Sequence, residues 1–382
     1  MSRKTEGSGF GCENMDRREI LSAVGAAGVG TIGLSTIGTA QSDPLSGKFA
    51  EIDYALRREK LGDTSSPLTM ETKEVSKDWY QSLRKAEQIR EQTNFESRSY
   101  VTEVDLIPPK HGGSGPKIEV GILQNTEKTA GPELPSSQKA REEIPAEIDG
   151  VPVDVHETGS FELGCYETDY GEYVPTGAEM EAGYNDTHCT MGAPLHKDGK
   201  MYFSTCQHIF YKDDPLTRKL YNQDEDEAIG DVVDQHCRDD FVAAEPINGH
   251  EPTYSLADSN GTTTDLTIVK QFTKDALQDK IANDENLTKR GITTCETSGK
   301  IRSANGYIGY IQDGCSDRNH RLKWGKSGDF DDGDSGSIAY QQVGHDQVGV
   351  AGTCNGRDPA ANGRVFGASA WWIEDNHGYT YV

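Results

Sequence analysis

Three residue types that together perform acyl transfer stand at separate points of the chain. Ser335 lies in Gly333-Asp334-Ser335-Gly336-Ser337, where glycines allow a sharp turn and bring backbone N–H groups close to the hydroxyl. The same five residues also suit an ordinary polar turn, so they need partners before they mean catalysis. His208 follows the strand-like run Met201-Tyr202-Phe203-Ser204, within Thr205-Cys206-Gln207-His208-Ile209. Asp265 precedes a second such run, Leu266 to Val269, after a loop rich in Gly, Thr, Ser and Asn. The chain order is His, Asp, Ser. A base that removes the serine proton, and an acid that orients the base, are what a hydroxyl needs to become a nucleophile near neutral pH.

The sequence resembles the secreted trypsin-like serine peptidases of the chymotrypsin fold, in particular their streptogrisin-like bacterial branch. Cys189-Thr190-Met191-Gly192, the turn Lys197-Asp198-Gly199-Lys200 and the strand ending near His208 are similar to that branch's first hairpin. Lys289 to Thr294 followed by Gly299, the strand Gln347 to Gly352 and the segment Ala368 to Asn376 resemble its mid-domain strand, its specificity-pocket strand and its closing helix. The resemblance runs from about residue 160 to residue 382. It departs from the branch at Cys206, two places before the histidine, at Ile209, directly after it, and at Ser337, where a second glycine is commoner.

The resemblance implies an all-β main domain of two antiparallel six-stranded β-barrels with a C-terminal helix. It implies that His208, Asp265 and Ser335 form the triad of a serine endopeptidase, that the N–H groups of Gly333 and Ser335 bind the oxyanion, and that peptides or proteins are the substrates. Asp329, six residues before Ser335, would sit at the floor of a pocket lined by Ala351 and Gly352 and favour Lys or Arg before the cut bond. Disulfides Cys189–Cys206 and Cys315–Cys354 follow from the same likeness. No cofactor is needed for this chemistry. The competing readings are a catalytically silent barrel pair kept as an interaction module, and a zinc-binding exported protein. The latter rests on the couples His188-Cys189, Cys206-x-His208 and His236-Cys237, which lack the tight spacing of a zinc ribbon.

The elements that must position these residues begin with an export signal. Arg17-Arg18, then Ile20, Leu21 and a Gly/Ala-rich run ending Gly38-Thr39-Ala40, read as a twin-arginine signal over 1–40 and a secreted product. The glycines in the run argue against a stable membrane anchor. Removing residues 1–40 leaves seven cysteines, Cys165, Cys189, Cys206, Cys237, Cys295, Cys315 and Cys354, an odd number that cannot all pair within one molecule. The formal net charge of −25 and the lack of a basic stripe argue against nucleic acid as a partner and fit a protein adapted to concentrated salt.

Residues 41–72 are polar and without period, and read as a linker. Over 73–158 a small α/β region is expected, either a pro-region cleaved between Val155 and Gly177 or a spacer that stays attached. Its helix, Lys73 to Asn94, carries the stripe Val75, Trp79, Leu83, Ala86, Ile89. Strands are expected over Ser99 to Ile107, Lys117 to Leu123 and Pro145 to Val155, and a second helix over Ser136 to Glu143. The peptidase-like domain is then 159–382. Asp224 to Glu227 and the pair Asp239-Asp240 read as solvated acidic loops, with calcium binding as the alternative. The oligomeric state is open.

Overall fold

The computed structural model describes residues 48–98, 100–123, 137–158, 171–182, 187–210, 218–222, 228–258, 263–309, 318–360 and 363–382. The signal segment, Cys165, Cys315 and the acidic run Asp224 to Glu227 lie outside them. None of the described helices is long and apolar enough to cross a membrane.

The chain is mostly β-strand and ends in a helix, Ala370–His377. Two sheets contain all the described strands. One is a seven-stranded antiparallel sheet in the order Leu195–Lys197, Lys200–Thr205, Phe241–Pro246, Ala228–His236, Lys219–Tyr221, Glu179–Ala182, Thr187–Thr190. Its interior is apolar, with Met180, Cys189, Phe203, Phe210, Leu220, Ile229 and Val242 all fully buried. Asp198 and Gly199, both at positive φ (52° and 74°), make the two-residue turn between the first two of these strands. The other sheet links sixteen strands and includes Thr263–Phe272, Asn286–Gly291, Cys295–Ile308, Arg318–Trp324, Ile338–Gln342 and Gln347–Thr353.

The extra strands come from the N-terminal region. Phe49–Arg58 and Leu68–Ser76 form a hairpin where a linker was expected, and the hairpin pairs with Thr263–Phe272 through Ala55↔Phe272 and Leu56↔Gln271. A bulge between Asp53 and Ala55 shifts the register. Ala50 and Ile52 point inward before it, Ala55 and Leu56 after it, so the alternation that marks a strand is broken in the sequence. At another place Val101–Ile107 pairs with Cys295–Ile308 through Val104↔Tyr307 and Glu103↔Ile308.

The helix Lys77–Gln92 is capped by the Ser76 hydroxyl, which accepts the Trp79 N–H, and ends where Thr93 turns extended. Trp79, Leu83, Ala86 and Ile89 are buried against Ile52, Val104, Ile118 and Val120, each worth about 1.5–3 kcal/mol where a full large apolar side chain is covered. Val75, expected on the same stripe, joins this core from the end of the preceding strand. Ser137–Glu142 is the second helix, and the third expected strand is a hairpin, Glu147–Ile148 and Val151–Thr158, turning at Asp149-Gly150.

Ion pairs tie this region to the rest of the chain. Lys323 Nζ is 2.7 Å from Glu103 and 2.9 Å from Asp105, with all three side chains nearly excluded from solvent. Burial acts to raise both carboxyls. For Glu103 the Lys323 charge and the His156 bond outweigh it and bring the value down to about 2, whereas Asp105 ends at about 6. Arg84 bonds Asp275 at 2.5 Å, and Lys73 bonds Asp279 at 2.5 Å.

Candidate active site

His208 opens a 3-10 helix, His208–Phe210, just beyond the strand Lys200–Thr205. Ile209 and Phe210 are buried and fix that helix to the apolar interior of the seven-stranded sheet. The carboxylate that meets the imidazole is Asp240. Its two oxygens lie 3.1 and 2.9 Å from His208 Nδ1, and Oδ1 also accepts the backbone N–H groups of Gln207 (3.0 Å) and His208 (2.9 Å). Arg318 donates to Oδ2 from the other side at 2.6 Å, with neither side chain exposed. Burial alone would raise the Asp240 carboxyl. The Arg318 charge and the His208 contacts more than offset that and hold it far below the usual carboxylate range.

This corrects the assignment of Asp265. That residue is exposed on the strand Thr263–Phe272, at the edge where Ser255↔Thr267 and Ala257↔Thr263 pair, and makes no hydrogen bond to His208 among the described contacts. Asp240 occupies a positive-φ position (55°) in the turn between Ala228–His236 and Phe241–Pro246. The strand that follows it pairs with the strand leading to His208 through Thr205↔Val242 and Phe203↔Ala244. Adjacent strands thus deliver the two side chains to one end of the sheet. Asp239-Asp240, read as a solvated loop or calcium site, is instead a buried, arginine-paired turn. The local signal was present, since an acid directly before four buried residues, Phe241 to Ala244, marks the mouth of a core strand. An acid directly before a strand-like run also stood at Asp265, ahead of Leu266 to Val269, and the pairing of strands separates the two.

Ser335 is held by the backbone around it. Thr190 N donates to its carbonyl at 2.9 Å, Thr190 Oγ1 to the Gly333 carbonyl at 2.5 Å, and Gly336 N to the Cys354 carbonyl at 2.8 Å. Gly336, at φ 92°, packs so closely on Thr205 and the Thr190 carbonyl that a Cβ would collide with both. Neighbouring Asp334 is fully buried, paired with Lys289 at 3.0 Å, and accepts the N–H groups of Thr293 (3.1 Å), Thr294 (3.2 Å) and Asp331 (2.9 Å). The Ser335 hydroxyl donates to the Asn355 carbonyl at 3.3 Å, while Asn355 Nδ2 donates to the Asp240 carbonyl at 2.5 Å. Asn355, which no local motif marks, therefore links the serine to the turn that holds the histidine.

Among solved structures, the chain is similar to a glutamic acid specific serine protease described as using a histidine triad in substrate binding, with 18% identity over 54% of this chain and 99% of that one, at a TM-score of 0.42. It is also similar to Thermobifida fusca Protease A (16% identity, 55% and 97%, TM-score 0.40) and to a Nocardiopsis protease (14%, 55% and 98%, 0.41). No protein-family model and no curated protein matches the chain.

The remaining expectations fare differently. Asp329 is buried, but its carboxylate accepts the Lys326 N–H at 2.9 Å and lies against Gly299 and Gly325, closing the 3-10 helix Ser327–Asp329. Ala351 belongs to the apolar core with Ala339, Leu322 and Trp371, and a Cβ on Gly352 would strike the Ala368 carbonyl, so both are packing positions. Cys189, Cys206 and Cys354 are buried and Cys295 is exposed, and none of the four is in a disulfide, so the expected pairs Cys189–Cys206 and Cys315–Cys354 are not formed. Burial lifts Cys189 and Cys354 to about 12, leaving them protonated and inert. Cys206 Sγ sits 3.7 Å from His208 Nε2. The Cys/His couples do not converge: His188 bonds Glu179, His236 stacks on Phe241 and lies tilted against His377, and no group of three metal-ligating side chains occurs among the described residues.

Proposed function

We propose that the chain is a serine endopeptidase whose nucleophile, base and orienting acid are Ser335, His208 and Asp240. The reading is supported above all by the Asp240 carboxylate, which bonds His208 Nδ1 and the His208 backbone N–H at once. An Nδ1–H held on Asp240 leaves the Nε2 lone pair to take a proton. The Ser335 hydroxyl turns from the Asn355 carbonyl to Nε2, loses its proton there and attacks a peptide carbonyl. The N–H groups of Gly333 and Ser335 receive the oxyanion, a contribution of about 2.7–4 kcal/mol per donor in such sites. The imidazolium, steadied by Asp240, passes its proton to the leaving amine, and water hydrolyses the acyl-enzyme by the same route in reverse. Export through the twin-arginine pathway, and protein or peptide substrates met outside the cell, complete the proposal.

A fluorophosphonate probe tests it, since such a reagent labels only a serine with both a bonded base and an oxyanion site. In molar salt the wild type is expected to be labelled, and Ser335→Ala, His208→Ala and Asp240→Asn to be unlabelled. Asp265→Asn and Cys206→Ala keep labelling. A folded wild type that takes no label gives the fold over to an interaction module. Labelling that survives Asp240→Asn and fails in Asp265→Asn returns the acid to its first assignment.

A further inference from the structure

We infer that Arg318 is a positioning residue of this triad, one that fixes the Asp240 carboxylate and draws the acid limb of activity to lower pH. The inference rests on the proposed peptidase reading. Arg318 opens the strand Arg318–Trp324 of the sixteen-stranded sheet, whereas Asp240 belongs to the seven-stranded one. Its guanidinium reaches across to Oδ2, the oxygen that also lies 2.9 Å from His208 Nδ1. One carboxylate oxygen thus faces an imidazole N–H and a guanidinium. The latter is charged at every working pH.

Stability is a weak explanation for such a contact, because a buried ion pair replaced by apolar side chains of like volume often costs nothing. The effect on charge is specific. With Arg318 in place, Asp240 and the guanidinium offset one another, so an imidazolium forming at His208 meets less net negative charge than a lone carboxylate would offer. The neutral base is favoured, while an oxyanion forming at Ser335 meets more positive charge. Activity needs His208 neutral to take the Ser335 proton, so it is lost in acid. Removing the guanidinium leaves a full negative charge beside Nδ1, favours the imidazolium and moves that loss to higher pH.

The other groups around the imidazole support this account. Arg321, on the same strand and fully buried, donates to Asp239 Oδ1 (2.9 Å) and to the Arg238 (2.7 Å) and Asp239 (2.9 Å) carbonyls. His377 and Trp372 from the C-terminal helix also bond Asp239, and the His236 ring lies tilted against His377. These groups contact Asp239, and although the Arg321 charge also acts on Asp240, the direct contact to the Asp240 carboxylate comes from Arg318. Cys206 Sγ faces Nε2 at 3.7 Å.

The test is the pH dependence of kcat/KM on a peptide ester, and of fluorophosphonate labelling rate, for wild type, Arg318→Gln, Arg318→Met and Arg318→Lys. Folding is checked by circular dichroism in molar salt. The charge-free variants are expected to lose activity with an acid limb raised by about one pH unit, the lower end of what an opposite charge in contact does. Arg318→Lys returns the limb to its wild-type position with kcat still reduced, because an ammonium restores the charge without the fork. A folded Gln or Met variant whose limb is unmoved makes Arg318 a structural clamp only. Failure of both charge-free variants to fold overturns the inference equally. Loss of labelling in the wild type is the separate result that sinks the peptidase reading itself.

Discussion

Lys289 and Asp334 form an ion pair of 3.0 Å with both side chains wholly excluded from solvent, directly beside Ser335. Asp334 also collects three backbone N–H groups and the Thr294 hydroxyl (2.6 Å), so the pair anchors the turn on which the nucleophile stands. Breaking it by Lys289→Met leaves a buried carboxylate without its cation, which costs about 3–5 kcal/mol in comparable pairs. Urea melts in molar salt are expected to show a loss of that size, together with loss of phosphonate labelling in whatever remains folded. A variant of wild-type stability that still labels means the backbone donors alone suffice for the loop.

How much of this site could be read from the chain depends on distance along it. His208 and the Ser335 turn carry local marks: His208 lies just beyond the strand Lys200–Thr205, and Ser335 stands between Gly333 and Gly336, both at positive φ. Asp240 carries a mark shared with Asp265, and the choice between them is made by strand pairing, Thr205↔Val242, which is not local. Arg318 and Asn355 approach Asp240 from 78 and 115 residues away, and nothing in their neighbourhoods announces it. The helix at Lys77–Gln92 fell close to expectation because its apolar stripe defines it locally, whereas Ala370–His377 was expected from the resemblance alone. The first hairpin did not, because its bulge at Asp53 hides the period of two.

Glu374 on the C-terminal helix sets a second pH dependence, one of stability. Burial, with a smaller push from Asp375, raises its carboxyl to about 7, while a 2.7 Å bond from Gln271 works the other way. A carboxyl raised above its unfolded value of 4.5 stabilises the fold fully below that value, and the contribution is lost as pH rises toward about 7. Glu374→Gln removes the charge and should stabilise the protein at pH 8 by on the order of 1–2 kcal/mol, with little effect at pH 4. Thermal melts at the two pH values check this. Equal shifts at both would mean the residue acts through packing.

The N-terminal region is expected to be required for folding of the rest. It supplies the strand Phe49–Arg58 to an edge of Thr263–Phe272 and Val101–Ile107 to an edge of Cys295–Ile308. Without it those edges stand open, a liability for association between chains. Lys323, barely exposed, loses Glu103 and Asp105, and an uncompensated buried charge costs several kcal/mol. Tyr307 and Ala282 lose the apolar core they share with Trp79, Leu83 and Ile118. These losses together approach the whole stability of an ordinary domain, about 5–15 kcal/mol. Residues 171–382 expressed alone in molar salt should therefore be unfolded or aggregated, and co-expression with 48–158 should recover a soluble complex that labels with fluorophosphonate. Charge reversal across the interface sharpens the test. Lys323→Glu should block recovery, and it should do so while 48–158 itself remains available in solution. A folded, labelled 171–382 fragment would show instead that the N-terminal region is a spacer, and that its ion pairs are incidental to the fold.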